Sequence, residues 1–417
     1  MQPSHRRVVI TGIGILSPVG NDWKSFRDAI QAGRSGIGTI TQFDLQDFPV
    51  TMAGEVKDFA LGNHVDLKRV SSLKRLARHT QLGIAASWDA IRHAGLTPES
   101  LRTQSGVMVR LGLSTGAIDV IEQGKSELAG KGPRKVSPHI VPASVPHAVA
   151  NELVLSLGID CSRGTISSAC PSGLEAVAAG AAVLRSGRAD LVIAGGADAP
   201  ITPLTMATLC RCGLASECPF PPERASRPFD ARRAGGLIGE GACMLVLETL
   251  DHALDRGVEP LAEILSHGEW GDSPEGDDCD GLAVAMRQAL SEAALLPVDI
   301  DYINAHGPSH PRIDRAEVQQ IKKVFGAHAW RIPVSSIKGS IGNPFAAAGP
   351  MQVAATTLAM RGGWVPPTAN YTYPDPDCDL NVVPNHAVRM PMERALINMH
   401  GMGGGNSCMI LGKGTDG

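Results

Sequence analysis

The sequence predicts an α/β fold made of two similar halves. Runs of β-branched residues that end in glycine alternate with alanine-rich segments of helical length along the 417-residue chain. This pattern is typical of helices layered on mostly parallel, buried strands. Each half also contains a strand, a turn with a reactive residue and an Ala/Gly-rich helix, which predicts duplicated units rather than one open sheet. We expect an N-terminal half at residues 1–254 and a C-terminal half at residues 255–417.

The β-branched runs place the strands, and the alanine-rich segments place the helices. Strands are expected at residues 7–12, 190–196, 243–250, 302–305, 331–335 and 395–398. Helices are expected at residues 23–32, 73–94, 173–186, 313–324 and 346–360.

Composition excludes several classes of protein. With 43% hydrophobic and 19% charged residues, the chain can bury one large core or two fused cores, which excludes disordered and fibrous proteins. The net charge is −4, and Lys and Arg are scattered along the chain. The basic patch that a nucleic-acid binder needs is therefore absent, and no nucleic-acid partner is expected.

The sequence also favours a cytoplasmic location. The N-terminus has no apolar core followed by a small-residue cleavage site, so no export signal is predicted. Apolar stretches such as residues 347–359 are interrupted well before the roughly 20 residues that a membrane span needs. Nine cysteines are spread thinly over the chain, which favours reduced thiols over a disulfide framework.

One cysteine carries the strongest chemical signal. In residues 164–196, polar residues lead to Cys170, Pro171 occupies a favoured first helical position, and Gly187 ends the helix before the next strand. We expect the sulfur at the positive end of a helix, where unpaired N–H groups favour the nucleophilic thiolate over the thiol. Taken alone, the segment also fits an inert, buried structural cysteine.

Two further segments place polar residues next to turns. His306 follows a short strand, which would hold an imidazole at a strand end, although lone histidines are also common in cores and on surfaces. In residues 335–352, glycines lead Asn343 and Pro344 into a small-residue helix, and a tight loop would explain this pattern as well. Each segment by itself leaves its function open.

Together these motifs form an ordered series that spans nearly the whole chain. The series consists of RRVVITGIGILSPVGN, SSACPSG, LVIAGGAD, RPFDARRAGGLIGEGACMLVLE, INAHG, SSIKGSIGNPFAAAG and NMHGMGGGNSCMIL. It resembles the β-ketoacyl-acyl-carrier-protein synthases of fatty-acid and type II polyketide pathways. The resemblance implies a thiolase-like fold, with two similar βαβαβ halves in α-β-α-β-α layers.

The resemblance also implies partners and chemistry. It implies a homodimer, or a heterodimer with a second ketosynthase-like subunit, and ping-pong acyl transfer with an acyl carrier protein. No metal and no bound cofactor are implied, because the phosphopantetheine arrives on the carrier.

Roles for individual residues follow from the same resemblance. Cys170 is the implied nucleophile, and His306 fills the place of the family's first histidine. Where the family usually has its second histidine, this chain has Asn343, so the triad resembles the Cys-His-Asn sets of chain-initiating synthases and chalcone synthases. An asparagine amide can donate a hydrogen bond to a thioester oxygen but cannot carry a proton. Lys338 and Glu317 match the family's supporting positions.

Other positions differ from the family pattern. Pro308 and His310 replace the two threonines that commonly hydrogen-bond the pantetheine arm. The gating loop, usually Phe-Gly-Phe, becomes His400, Gly401 and Met402, which removes both aromatic side chains.

The oxyanion hole implied by the resemblance consists of two backbone N–H groups, those of Cys170 and His400. Because the donors belong to the backbone, this role survives a change of side chain at position 400.

Three functions fit these residues. In the first, decarboxylative Claisen condensation, Cys170 holds the acyl group while His306 and Asn343 stabilise the enolate of a malonyl-carrier thioester. The second sends the acyl group to another nucleophile by transacylation, C–O or C–N bond formation, or cyclising release, with His306 or His310 as base. The third is a non-catalytic partner subunit similar to a chain-length factor, which the intact cysteine disfavours.

Overall fold

Helices and strands alternate along the chain. The computed structural model describes residues 6–70, 76–104, 106–215, 217–273 and 279–414. The strands are β1 Val8–Leu16, β2 Gly38–Thr39, β3 Met52–Ala53, β4 Val107–Gly112, β5 Ser162–Ile166, β6 Leu191–Asp198, β7 Gly241–Thr249, β8 Ala262–Gly271, β9 Tyr302–Asn304, β10 Pro333–Ser335, β11 Trp364–Val365, β12 Asn381–Val382, β13 Val388–Arg389, β14 Arg394–His400 and β15 Gly405–Lys413. The helices are α1 Trp23–Gln31, α2 Arg78–His93, α3 Pro98–Thr103, α4 Ile118–Lys131, α5 Ile140–Ser144, α6 Ala148–Leu157, α7 Ser172–Arg185, α8 Pro203–Arg211, α9 Leu250–Asp255, α10 Asp280–Glu292, α11 Pro311–Phe325, α12 Lys338–Ile341 and α13 Ala348–Gly362.

Within the described residues, eleven strands join in the order β12-β10-β9-β14-β15-β8-β1-β7-β6-β4-β5. The two sets of strands meet where β1 pairs with β8, at Val8 and Ile264. Outward from this junction, the set β1-β7-β6-β4-β5 has two antiparallel pairs followed by two parallel pairs. The set β8-β15-β14-β9-β10 repeats the same order of pairs. This repetition confirms the expected pair of similar halves, and the boundary between residues 254 and 255 stays a prediction.

The sheet is mixed, whereas the sequence predicted mostly parallel strands. The antiparallel pairs arise where the chain reverses, most sharply between β14 and β15, which only residues 401–404 connect. Such a tight connection forces antiparallel pairing, since parallel neighbours need a long crossover.

The helices lie in layers on both sides of the strands. Neighbouring residues of β6 belong to different cores, because Ile193 packs in the cluster with α2 and Val192 packs in the cluster with α7. In the middle of the molecule, α7 and α13 pack against each other, and α10 packs on β8 and β15. The strands are thus covered on both faces, as the alternation of segments predicted.

Small residues allow the two central helices to approach closely. A Cβ atom on Gly173 would lie 1.9 Å from the carbonyl oxygen of Ala346, so only glycine fits where α7 passes the chain that leads into α13. This approach brings Cys170, which precedes α7, close to Asn343, which precedes α13.

The expected elements are present with ends shifted by a few residues. The helix predicted at residues 73–94 corresponds to α2, and residues 73–75 lie outside the described part of the chain. Among the strands of the eleven-stranded sheet, the sequence missed β4, β5, β8, β12 and β15. In the described ranges, none of the helices has the length and apolar character needed to cross a membrane.

Candidate active site

Cys170 lies at a sharp turn between β5 and α7. Ala169 adopts a φ of 62°, a left-handed conformation that costs a non-glycine residue about 1–3 kcal/mol and tends to occur at functional sites. The turn is held by Ser172, whose hydroxyl donates to the Ala169 carbonyl and accepts from the Ser168 N–H at 2.8 Å. The helix begins at Ser172 with Pro171 as its N-cap residue, so Pro171 precedes the helix and does not occupy its first position as expected. The sulfur therefore lies just before the helix terminus.

The surroundings of the Cys170 thiol favour its protonated form. Burial raises the pKa of the thiol to about 11, although the Asn343 amide, the Lys338 ammonium and the Met402 N–H act in the opposite direction. The helix terminus favours the thiolate, as the sequence predicted, but burial has the larger effect on the pKa of this thiol. Desolvation of the side chain, which is only 3% exposed, outweighs the favourable dipole.

We expect slow alkylation of Cys170 at neutral pH. Because only the thiolate reacts, the rate should rise about tenfold for each pH unit between pH 7 and pH 9. Timed exposure to iodoacetamide followed by peptide mass spectrometry measures this rate, and the exposed Cys212 is the internal reference. Equal rates for the two cysteines at pH 7 would contradict the raised pKa.

Asn343 is held rigidly by its backbone. Its N–H donates to the Leu237 carbonyl at 2.8 Å, and its carbonyl accepts from the Gly239 N–H at 3.0 Å. The side-chain Nδ2 lies 3.8 Å from the Cys170 sulfur and donates to it. The buried Oδ1 has no hydrogen-bond partner among the described residues. The amide therefore presents an N–H donor at the point where a thioester on the sulfur would lie.

His306 follows β9 and is anchored through its main chain. Its N–H donates to Glu317 Oε1 at 2.8 Å, and its carbonyl accepts from Lys338 Nζ at 2.7 Å. Burial lowers the pKa of the imidazole well below 6.5, and the nearby Lys338 and His400 lower it further. The ring is therefore neutral at physiological pH, and its one N–H can donate a hydrogen bond.

A buried polar network supports His306 from behind. Lys338 Nζ also donates to Gln352 Oε1 at 3.2 Å, and burial lowers the pKa of this lysine to about 8. Glu317 accepts from the Gly307 N–H at 2.8 Å and from Asn398 Nδ2 at 3.2 Å. Burial raises the pKa of Glu317, while its hydrogen bonds lower it.

Gln352 and Asn398 were not identified from the sequence. Gln352 Nε2 donates to the carbonyl oxygens of Asn304 and Ala305, which fixes the end of β9. The available signal was the presence of an amide side chain in an otherwise apolar segment, such as Gln352 within the alanine-rich α13.

The loop between β14 and β15 touches the cysteine. A Cβ atom on Gly401 would lie 2.5 Å from Pro171 Cδ and 3.2 Å from the Cys170 nitrogen, so the loop can approach only with glycine at this position. The Gly401 N–H donates to the Gly405 carbonyl at 2.8 Å. The preceding pair, His400 with Asn406, is therefore a non-hydrogen-bonded pair of the hairpin. The His400 N–H accordingly points away from β15.

One cavity of about 450 Å³ contains most of the predicted site residues. This volume falls in the usual range for small-molecule sites. Lys338 and Glu317 do not line the cavity, and they lie behind His306. The predicted residues that line it are Cys170, His306, Pro308, His310, Asn343, His400, Gly401 and Met402.

Two models of one protein family match this chain. The model described as the N-terminal domain of beta-ketoacyl synthase matches residues 5–253, and the C-terminal domain matches residues 264–372. The chain belongs to the β-ketoacyl synthase family. This membership confirms the family and the fold that the sequence motifs implied.

Individual β-ketoacyl synthases are similar to this chain over nearly its whole length. The 3-oxoacyl-[acyl-carrier-protein] synthase 2 of Coxiella burnetii is 35% identical over 99% of each chain. Among solved structures, the ishigamide ketosynthase/chain length factor is 33% identical with a TM-score of 0.92, covering 98% of this chain and 100% of that one. The type II polyketide synthase ketosynthase AntDE, in complex with its acyl carrier protein AntF, is 28% identical with a TM-score of 0.89, covering 99% and 100%.

Pro308 and His310, the positions expected to differ from the family's pantetheine contacts, have different environments. Pro308 is buried at the cavity wall. His310 caps α11, because its Nδ1 accepts from the Ile313 N–H at 3.4 Å while its Nε2 donates to the Gly213 carbonyl at 3.1 Å. Both ring nitrogens of His310 are therefore engaged, so it can act as a base only after these bonds break.

No cluster of metal-binding side chains is present in the described residues. No group of three or more His, Cys, Asp or Glu side chains in that part of the chain is arranged to hold a metal ion. Cys170 and His306 meet in the cavity with an amide, Asn343, as the third polar side chain. This donor set suits thioester chemistry better than metal binding.

Proposed function

We propose that the protein is a ketosynthase that condenses an acyl group held on Cys170 with a malonyl-carrier thioester, with loss of carbon dioxide. The pathway is the synthesis of a fatty acid or of a polyketide-type specialised metabolite. The observation that carries this proposal is the convergence of Cys170, His306 and Asn343 on one cavity, with the Asn343 amide 3.8 Å from the sulfur. The relatives are named 3-oxoacyl-[acyl-carrier-protein] synthases, in agreement with it.

The first half-reaction loads the cysteine. Cys170 loses its proton and attacks the carbonyl carbon of the acyl-carrier thioester, and the carrier leaves as a thiol. The negative charge that develops on the carbonyl oxygen is accepted by the N–H groups of Cys170 and His400. Two amides that are fixed in place before the reaction stabilise this charge without reorganisation.

The second half-reaction forms the carbon–carbon bond. Malonyl-carrier thioester binds, its carboxylate leaves as carbon dioxide, and the electron pair moves onto the thioester oxygen. The His306 ring and the Asn343 amide donate hydrogen bonds to this enolate oxygen. The enolate carbon then attacks the acyl carbon on Cys170, and the sulfur leaves. Lys338 and Glu317 act only by holding the main chain of His306.

The partner that supplies both substrates is an acyl carrier protein, and its phosphopantetheine replaces any bound cofactor. AntDE was solved with such a carrier, and the ishigamide protein is described as a ketosynthase/chain length factor. The edge strand β5 pairs on one side only in the described residues, which leaves an edge for a second subunit. We propose that the protein forms a homodimer, or a heterodimer with a second ketosynthase-like subunit. We also propose that it is located in the cytoplasm.

Rerouted acyl transfer is the second candidate. It is favoured by the loss of both pantetheine-binding threonines at Pro308 and His310, which leaves the carrier arm with fewer partners. A third role, as a non-catalytic partner subunit, is disfavoured because Cys170 lines the cavity and has polar partners there.

A single incubation separates these functions. The protein is mixed with an acyl-carrier thioester and a malonyl-carrier thioester that is labelled in its free carboxyl group. Condensation releases labelled carbon dioxide and yields a β-ketoacyl carrier. Acylated Cys170 without carbon dioxide release would favour rerouted transfer, and the absence of both would favour the partner subunit.

Asn343→His should increase malonyl decarboxylation by about tenfold. Unlike the amide, an imidazole can carry a proton, and the resulting imidazolium would add its positive charge to the hydrogen bond with the enolate, which is worth roughly 1–1.5 kcal/mol over the bond from a neutral amide. The matched variant Asn343→Ala removes the donor and should decrease the same rate. Carbon dioxide release measures both effects, and an unchanged rate in Asn343→His would show that residue 343 does not limit the reaction.

A further inference from the structure

The side chain of His400 has a fixed orientation. Its Nδ1 lies 2.9 Å from Asn406 Oδ1. Asn406 Nδ2 donates to Asp272 Oδ1 at 2.6 Å and to the Gly404 carbonyl at 3.0 Å, so its oxygen faces His400 as an acceptor. The Asn406 oxygen therefore fixes Nδ1 as the hydrogen-bond donor of the His400 ring and leaves Nε2 as the nitrogen that can accept a proton. No described group lies within hydrogen-bonding distance of Nε2.

The ring lies in the reaction cavity. It lines the same space as Cys170, and its centroid is 6.1 Å from that of His306 in an edge-to-face arrangement. The next residue, Gly401, packs on the Cys170 nitrogen, and the Met402 N–H donates to the sulfur. His400 is thus attached to the segment that contacts the nucleophile.

Three polar side chains near Cys170, those of His306, Asn343 and Lys338, are poor proton acceptors. The Asp272 carboxylate on the cavity wall already accepts hydrogen bonds from Asn406 and from the Gly281 N–H. Burial raises the pKa of the Cys170 thiol to about 11, so acyl transfer needs a base. The pKa of His306 is well below 6.5, which makes that ring a weak base. Asn343 has no basic nitrogen. Lys338 Nζ donates to three acceptors, which are the His306 carbonyl, the Gln352 amide oxygen and the Met399 sulfur.

We propose that the His400 side chain is the general base that takes the proton of Cys170 during acyl loading. The S–H bond breaks as the proton moves to Nε2 through one water molecule that bridges the sulfur and the ring in the cavity, and the sulfur forms a bond to the acyl carbon. The bond between that carbon and the carrier sulfur breaks, and the same proton passes from Nε2 to the departing thiolate. Asn406 and Asp272 are positioning residues, because they keep the other ring nitrogen protonated and stabilise the imidazolium. This inference rests on the proposed function, since it assigns a base to the first half-reaction.

Single-turnover loading of Cys170 tests the proposal. We expect His400→Phe and His400→Gln to slow loading at least 10²-fold, in line with the usual contribution of a general base. Decarboxylation by enzyme that was loaded beforehand should fall much less. Thermal melts identify any variant that fails to fold. His400→Gln keeps an N–H that can donate to Asn406, so it removes the basic nitrogen with little change in the position of the side chain. His386→Gln, which removes an exposed imidazole, should load at the wild-type rate.

Chemical rescue separates a base from a structural side chain. Added imidazole should restore loading in His400→Ala but not in Cys170→Ala, and the rescued rate should increase with the concentration of neutral imidazole. Wild-type loading rates in both His400→Phe and His400→Gln, or a failure of rescue in folded His400→Ala, would overturn the assignment while leaving condensation intact. A wild-type protein that accepts no acyl group would overturn the proposed function and this assignment together.

Discussion

Cys170→Ala abolishes acyl labelling of the protein. Within the described residues, Cys170 is the only cysteine that lines the cavity, and the other polar groups there cannot form a stable thioester. Removing one sulfur atom from a buried position should still leave a folded protein. Intact-mass spectrometry after incubation with an acyl-carrier thioester measures the adduct, and the expected result is wild-type labelling reduced to background.

Cys212→Ala is the matched control for this result. Cys212 is an exposed thiol beyond α8, and it does not line the cavity, so the variant should be labelled like the wild type. Label that persists in Cys170→Ala and maps to another residue would contradict the assignment of the nucleophile. Cys170→Ser adds a second comparison, because a hydroxyl of similar size is a much weaker nucleophile than a thiol at neutral pH.

The sequence could predict that the three site residues lie close together, because each of them stands next to the end of a helix or a strand. Cys170 precedes α7, His306 follows β9, and Asn343 precedes α13. Residues at the ends of packed elements keep their positions when the elements pack. The motif order was therefore sufficient to place these three side chains in one cavity.

The protonation states could not be predicted in the same way. The N-terminus of a helix favours a thiolate through the helix dipole, and the position of that helix can be predicted from the sequence. Desolvation has the opposite effect, because it raises the pKa of the thiol. Its size depends on which residues cover the sulfur. One of them, Gly401, comes from a loop more than 200 residues away along the chain. The same long-range packing hides the roles of Gln352 and Asn398, because their partners come from distant elements.

Two strands of the main sheet, β5 at its edge and β8 at its centre, were also difficult to predict. β5 has the sequence SRGTI and is exposed or half-buried along its length, so it lacks the apolar run that identifies a buried strand. β8 alternates buried and half-buried residues over its first seven positions. This alternation is typical of a strand, but β8 lacks the continuous β-branched run that marks the predicted strands.

Glu317→Leu should lower the free energy of unfolding by about 3–5 kcal/mol. The carboxylate accepts hydrogen bonds from the His306 and Gly307 N–H groups and from Asn398, all of them buried. A hydrocarbon side chain would leave these donors without partners, and each bond to a charged group contributes about 1.5–3 kcal/mol. Urea denaturation measures the change, and acyl condensation should fall as well because the main chain of His306 loses its anchor.

Two variants show that the loss comes from hydrogen bonding rather than from a missing charge. Glu317→Gln keeps one acceptor but turns an amide N–H toward a backbone N–H, so its stability should lie between those of the wild type and Glu317→Leu. Glu259→Leu removes a carboxylate that is 71% exposed and paired with Arg361, and an exposed ion pair contributes about 1 kcal/mol or less. If Glu317→Leu were no less stable than Glu259→Leu, the network behind His306 would not be what holds the end of β9, and the immobility of His306 would need another cause.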